Sequence, residues 1–433
     1  MKPQPDALPA SLWAATAVPR PSYEHFTNDG SVDVAVIGAG FTGLSTALHL
    51  ARAGRSVAVL EAYEPGWGAS GRNGGQIIAG LKHNPDQLEA ELGATLGTGM
   101  AREYGAGGDL VFSLIDRYSI HCEDRRSGWI QGAHGPKAMR EFVKPRCDQW
   151  KARGVDARLL DQEEISRLVG SSRSTYCGGW FDPRGGVLQP LSYARGLAAA
   201  AQSEGATIYA DASVRRLRQD NGKWELVLDE GSLQAQKVVL ATNAYTDDLW
   251  PGLRRTVIPV TSFQIATRPL PASIRETILP GGQGVADTRR LLLYFRLDHD
   301  GRLLMGGRSP VDDNPRMEDA ASLRSAIARI FPQAAGEETE FVWSGRVAIT
   351  KDGLPHAHIL APGLYAALGF NGRGVAACTV TGKLMAQLVN GAEPGELPLL
   401  VATPDPFVFH SLRKLGVFAA SQYYRVLDRL EAR

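Results

Sequence analysis

Gly38, Ala39, Gly40, Phe41, Thr42 and Gly43 spell G-x-G-x-x-G between an apolar run, V-D-V-A-V-I at residues 32–37, and a stretch where Leu44, Ala47, Leu48 and Ala51 recur at helical spacing. A short β-branched run of this kind is what a parallel sheet buries on both faces. Gly54 stands where a helix C-terminal cap is expected, and a second apolar strand at residues 57–60 closes on Glu61, 23 residues after Gly38. Together they make the strand–helix–strand unit of a Rossmann-like domain, and chemistry explains the spacing. The first glycine makes the tight turn, the second lets the backbone approach a diphosphate, and the third lets helix and strand pack closely. The helix N-terminus offers free N–H groups and a partial positive charge to the phosphates. Glu61 would accept hydrogen bonds from ribose hydroxyls and repel a 2′-phosphate, which argues against NADP. The competing reading is a glycine-rich turn that binds nothing; the strand, the helix and Glu61 together weigh against it.

The texture recurs and then changes. Pro190 opens an Ala-rich helix that Gly205 ends, and residues 206–209 and 237–241 read as short strands. Between residues 256 and 343, strand-like runs with turn signals predict a mostly antiparallel sheet, suited to one wall of a substrate cavity. Residues 363–369 and a helix over 375–389 return to the opening pattern. The expected fold is therefore α+β / α/β: a discontinuous Rossmann-like cofactor domain (31–100, 185–255 and 345–395) with an inserted substrate domain (101–184 and 256–344). Residues 1–30, rich in proline, read as an extended arm, and 396–433 as a C-terminal segment. From 409 onward that segment mixes apolar and basic residues at roughly helical spacing. A helix covering its own core is favoured there over a docking or membrane-surface helix.

Composition limits the partner. Lys and Arg total 47 against 46 Asp and Glu, so no global field draws the chain to nucleic acid or an anionic bilayer, and a small-molecule partner is expected. Cys122, Cys147, Cys177 and Cys378 lie far apart with no metal-ligand spacing, and read as reduced, buried thiols. No apolar window of about 18 residues predicts a spanning helix. No secretory leader pattern opens the chain either, so a cytoplasmic location is expected.

Beyond Glu61 comes W-G-A-S-G-R-N-G-G-Q at residues 67–76. A glycine-rich polar loop directly after the ribose-binding strand faces the cofactor cleft and can lie against a flat polar ligand, which an NAD domain does not call for here; the bland alternative is a surface loop. These blocks, with Gly185, Gly186 and Pro190, A-T-N-A-Y at 241–245, W-S-G-R at 343–346, D-G-L-P at 352–355 and G-F-N-G-R-G-V at 369–375, resemble the FAD-dependent oxidoreductases related to D-amino-acid oxidase, glycine oxidase and monomeric sarcosine oxidase. Among these the blocks resemble the γ-glutamylputrescine oxidoreductase branch in particular, and the resemblance extends over nearly the whole chain after residue 30.

The resemblance implies a glutathione-reductase-type FAD domain. In it Gly38, Ala39, Gly40, Phe41, Thr42, Gly43, Glu61 and Ala62 would hold the ADP half. Gly68, Ala69, Ser70, Arg72, Asn73, Gly74, Gly75 and Gln76 would line the diphosphate and the flavin ring, with Ala241, Thr242 and Asn243 beside the cofactor and the Val214 backbone at the adenine. Gly369, Phe370, Asn371, Gly372, Arg373, Gly374 and Val375 would set a helix N-terminus beside the pyrimidine end, where reduction leaves negative charge. Relatives with covalent flavin have a cysteine two residues after the arginine of the Trp-x-x-Arg segment. Ala348 stands there, so non-covalent FAD is expected.

The implied reaction is hydride transfer from the carbon bearing nitrogen to flavin N5, the imine then hydrolysing to a carbonyl and an amine, with positioning doing most of the work. Arg346 resembles the arginine that clamps the substrate carboxylate in D-amino-acid and glycine oxidases; the competing reading is a structural arginine. A clamp there favours a small amino or imino acid such as sarcosine, proline or pipecolate over a γ-glutamylated diamine. Tyr294 and Arg296 share one strand face that either lines the cavity or is solvated. Lys82 and His83 follow the flavin loop and either reach the substrate or lie on the surface, the commoner fate of such a pair. Three functions stay open: an oxidase delivering electrons to oxygen, a dehydrogenase serving a quinone or carrier protein, and a non-catalytic FAD-binding subunit.

Overall fold

The computed structural model describes residues 8–27, 29–308 and 314–431. Its first sheet has the strand Gly30–Ile37 at its centre, flanked in parallel by Gly231–Leu240 on one side and Val57–Leu60 on the other. Leu364–Leu368 and Thr207–Tyr209 extend the parallel set at its two ends. An antiparallel hairpin partner, His356–Ala361, closes one edge. Such a sheet needs cover on both faces because its strands are apolar on both. The helices Phe41–Arg52, Pro190–Ser203 and Gly374–Val389 supply one cover, packing Leu44, Leu48, Leu197 and Leu384 into a shared core. The hairpin Arg216–Asp220 and Lys223–Leu228 contributes to the other, with Trp224, Leu226 and Leu228 buried against Val238 and Leu240.

The second sheet runs Thr339–Ile349, Ile258–Pro269, Arg302–Arg308, Leu293–Leu297, Gly284–Asp287, Trp129–Ala133, Gly178–Asp182, Arg158–Leu160. It is antiparallel except where Gly284–Asp287 lies parallel to Trp129–Ala133. One face packs on the helix Ala321–Ile330 through Phe263, Ile265, Phe295 and Ile327. A two-stranded ribbon, Gln76–Ile77 with Gly186–Val187, stands between the sheets. Several elements cross boundaries drawn from the sequence, among them the strand Gly30–Ile37 at residue 30, the helix Pro85–Gly105 at residue 100 and the strand Thr339–Ile349 at residue 345.

The N-terminal stretch is not simply an extended arm. Leu12–Thr16 is a short helix, started by Ser11 Oγ accepting from the Ala14 N–H at 3.1 Å. Leu12 and Trp13 are fully buried. The Trp13 indole donates to the Asn73 carbonyl at 2.7 Å, packs edge-on against Trp343 and lies under the Arg296 guanidinium. A helix of five residues shows no period in sequence, so only its long-range contacts reveal it.

The C-terminal helix Arg413–Glu431 also departs from expectation. Val408 is 85% and Phe409 74% exposed, and Leu412, Leu415, Phe418 and Val426 are exposed as well, so this segment does not bury its apolar side in its own core. Charge holds its distal end: Arg290 pairs with Asp428 and Glu431, and Lys137 reaches Glu431. All four cysteines are free thiols, Cys177 half-buried and the others buried. No helix among the described residues is long and apolar enough to cross a membrane.

Candidate active site

The glycine turn closes by contacts that exclude side chains. Gly38 has φ +101°, and a Cβ on Gly43 would stand 1.9 Å from the Gly38 carbonyl oxygen. That approach seats the helix Phe41–Arg52 on the strand Gly30–Ile37, with Ala241 packed behind it. Gly40 provides no side-chain cap, and Ser70 Oγ accepts the Phe41 N–H at 2.9 Å, tying the second loop to the turn. Glu61 Oε2 accepts the Ala39 N–H at 2.7 Å and Oε1 accepts the Tyr63 N–H at 3.2 Å. Burial pushes this carboxyl up to about 7. Ala62 is exposed, and Val214 packs half-buried on the core behind the sheet.

The loop at 67–76 is braced from within and from behind. Asn73 donates to the Ser70 carbonyl at 2.7 Å and accepts the Gly75 N–H at 2.8 Å. The Arg72 carbonyl accepts from both Gln264 and the Trp343 indole. Arg72 Nε donates to the carbonyls of Trp67 and Gly68, and its guanidinium lies over the Trp67 and Tyr245 rings. Its Nη2 is buried without a partner among the described residues, on a side chain that lines the cavity described below. On the third segment, Asn371 has φ 54°, accepts the Thr350 N–H and donates to the Gly369 carbonyl. Asn243 accepts the Gly369 N–H at 2.9 Å, and Thr242 bonds Thr246, joining this segment to the back of the glycine turn. The helix Gly374–Val389 then starts without a side-chain cap. Two uncapped helix starts and an orphaned guanidinium nitrogen suit an anionic dinucleotide with a flavin ring.

These segments open on a cavity of about 710 Å³, within the range of small-molecule sites. Of the residues expected from sequence, Phe41, Ala69, Ser70, Arg72, Asn73, Gly74, Gln76, Asn243, Phe370, Asn371, Gly372, Arg373, Gly374 and Val375 line it. So do Lys82, which is itself exposed, half-buried His83, Tyr294 and Arg346, so Lys82 and His83 face both the cavity and solvent. Gly38, Ala39, Gly40, Thr42, Gly43, Glu61, Ala62, Gly68, Gly75, Val214, Ala241, Thr242 and Gly369 lie off this cavity, in or behind the turns that frame it.

Two residues take other roles than expected. Arg296 faces the same way as Tyr294 but does not line the cavity: its Nε donates to the Gly74 carbonyl at 2.9 Å and its Nη2 to the Leu188 carbonyl at 2.8 Å. Burial lowers its pKa to about 10. It clamps the flavin-side loop and is a positioning residue. Gln76 lines the cavity, yet its amide is spent on the Val285 and Phe295 carbonyls and the Trp129 indole. Tyr294 Oη bonds Ser262 Oγ at 2.9 Å. Arg346 stands opposite Thr261, its guanidinium 5.4 Å from the Tyr245 ring centre. Sequence reading missed Trp129, His134, Arg146, Arg308 and Tyr424, all of which line the cavity. No motif surrounds them; tertiary packing alone brings them there.

The parallel sheet, its glycine turn and the loop facing the second sheet define a flavin-dependent oxidoreductase. The chain belongs to the DAO family of FAD dependent oxidoreductases, whose family model matches residues 33–388. It is 33% identical over 404 residues to a probable oxidoreductase OrdL of Haemophilus influenzae, covering 92% of each chain. It is also 33% identical over 432 residues to the γ-glutamylputrescine oxidoreductase of Escherichia coli, covering 97% of this chain and 98% of the relative. The fold matches crystalline glycine oxidase from Geobacillus kaustophilus with a TM-score of 0.71 at 24% identity, over 84% of this chain and 95% of that one. FAD is the cofactor of this enzyme family.

Proposed function

We propose that this protein oxidises the C–N bond of an amine or amino acid that carries a carboxylate. The carrying observation is the cavity itself, which joins the three flavin-side segments to a wall bearing Arg346, Lys82, Arg146 and Arg308. FAD, when bound, supplies the acceptor for the hydride leaving the carbon that bears nitrogen. The chain's part is placement: Arg346 grips a carboxylate, Tyr294 and Trp129 wall the substrate, and Arg296 holds the loop at Gly74 in register. Cys378 lines the cavity but burial pushes its thiol up to about 12, and Ala348 stands where a flavin-linking cysteine would be, so the FAD is dissociable. Free thiols accord with a cytoplasmic location.

Two substrate readings remain. Arg346 favours a small amino or imino acid, whereas the name of the Escherichia coli relative favours a γ-glutamylated diamine. Anaerobic bleaching of the flavin against D- and L-amino acids, sarcosine, proline, pipecolate, γ-glutamyl diamines and plain diamines tests the proposal. Bleaching is expected with carboxylate-bearing amines. Bleaching by plain diamines as readily removes the carboxylate; none at all makes the protein a non-catalytic subunit. On the small amino-acid reading, Arg346→Ala is expected to weaken the substrate by roughly 2–5 kcal/mol. Peroxide release in air separates an oxidase from a dehydrogenase.

A further inference from the structure

Four cations on the cavity wall share little negative charge: the acid that reaches Arg146 and Arg373, Asp182, is already paired with Arg184. Lys82 follows the flavin-side loop, Arg146 lies on the helix Lys144–Ala152, Arg308 ends the strand Arg302–Arg308, and Arg373 precedes the helix Gly374–Val389. Among the described residues, none of the four forms an ion pair. Their neighbours Arg289 and Arg290 are paired, with Asp287 and with Asp428 and Glu431. Neutral contacts hold the cluster in place. Arg146, 9% exposed, donates to Asn84 Oδ1 at 2.7 Å and to the Lys82 carbonyl. Arg373 donates to the Ala79 carbonyl at 3.3 Å and lies over the Trp129 ring. Lys82 keeps exposed surface, and partial desolvation with the charge of Arg308, Arg373 and Arg146 lowers it to about 8. Positive groups kept together in a partly desolvated pocket are costly until an anion joins them.

The cofactor reaches this cavity through Ser70, Arg72 and Arg373, but the rest of its seat does not. Gly38, Gly40, Gly43 and Glu61, which frame its expected seat, lie off this cavity, whereas Arg308 belongs to the second sheet and Arg146 to a helix packed beside it. We propose that Lys82, Arg146, Arg308 and Arg373 form a carboxylate subsite, so that the substrate is an elongated amine whose acidic group lies at the end away from the reacting nitrogen. This rests on the C–N oxidation reading above and chooses between its two substrate classes, leaving Arg346 to orient the chain nearer the cofactor segments.

The test compares γ-glutamylputrescine with its carboxylate-free counterpart, N-(4-aminobutanoyl)putrescine, and with sarcosine and proline, in the holoenzyme and in Lys82→Gln and Arg308→Gln. Wild type should favour the carboxylated probe. Each variant should lower kcat/KM for it by about ten- to hundredfold, mainly through KM, and cost the carboxylate-free probe about tenfold less than that. FAD content of each variant, from its absorbance, should match wild type; loss of FAD in both variants assigns the cluster to the cofactor and overturns the subsite. Equal losses on both long probes, or losses on sarcosine and proline as large as on γ-glutamylputrescine, overturn it too. Bleaching by the small amino acids alone overturns the subsite but keeps the oxidation reading; bleaching by none of these overturns that reading itself.

Discussion

Glu61 shows how one residue carries information at two levels. Its position after the second strand is legible in sequence, but its bonds to the Ala39 and Tyr63 N–H groups and its burial are not. With a pKa raised to about 7, the carboxyl is largely neutral below that pH in the FAD-free protein. Ribose hydroxyls donate best to the ionised form, so FAD binding should release a proton there. The dissociation constant for FAD, read from flavin fluorescence, is therefore expected to rise as pH falls below about 7. In Glu61→Gln it should be weaker at neutral pH and flat across that range. A wild-type constant that stays flat from pH 8 to about 5.5 would mean that Glu61 does not accept from the ribose. Arg296 teaches the converse: its place beside Tyr294 on an alternating strand was readable, but its two carbonyl partners depend on where residues 74 and 188 arrive in space.

At the scale of elements, the two ends of the chain matter most because neither follows from periodicity. The helix Leu12–Thr16 inserts Trp13 beneath the flavin-side loop and bonds Asn73 directly. Trp13→Ala removes a fully buried ring, and a loss of about 3–5 kcal/mol is expected by thermal or urea unfolding. Release of FAD should accompany it, since the bond that steadies Asn73 goes too; a stable variant with full flavin content would make this helix a passive cover. The helix Arg413–Glu431 is held instead by ions. Arg290, with Lys137, keeps the Glu431 carboxyl down at about 2, so its contribution is fully present above the ordinary glutamate pKa of about 4.3 and is lost as pH falls towards about 2. Arg290→Ala at neutral pH should lower amide protection across residues 413–431 in hydrogen exchange and leave that of the parallel sheet unchanged. Unaltered protection would show that other contacts dock the helix.

Over the whole molecule, local rules and long-range packing divide the information cleanly. The turn at Gly38–Gly43, the parallel strands around it, the loop at 67–76 and the helix start after Gly374 were legible, because each is specified by near neighbours: a glycine where a Cβ would strike a carbonyl, a β-branched run, an uncapped first turn. The antiparallel texture of 256–343 was legible for the same reason, while the strands at 129–133, 158–160 and 178–182 that complete its sheet were not: W-I-Q-G-A, R-L-L and G-G-W-F-D lack the unbroken apolar run and flanking motif that mark the equally short strand at 57–60. The wall of the cavity was hidden altogether. Lys82, Arg146, Arg308 and Arg373 are spread over nearly 300 residues of chain, and no rule of spacing links them. By itself the sequence determined the cofactor fold and the class of chemistry, since a dinucleotide is gripped by contiguous backbone whose geometry a few residues dictate. Only the tertiary structure decided which side chains meet the substrate, because that wall is assembled from separate elements whose meeting depends on how both sheets and their helices pack.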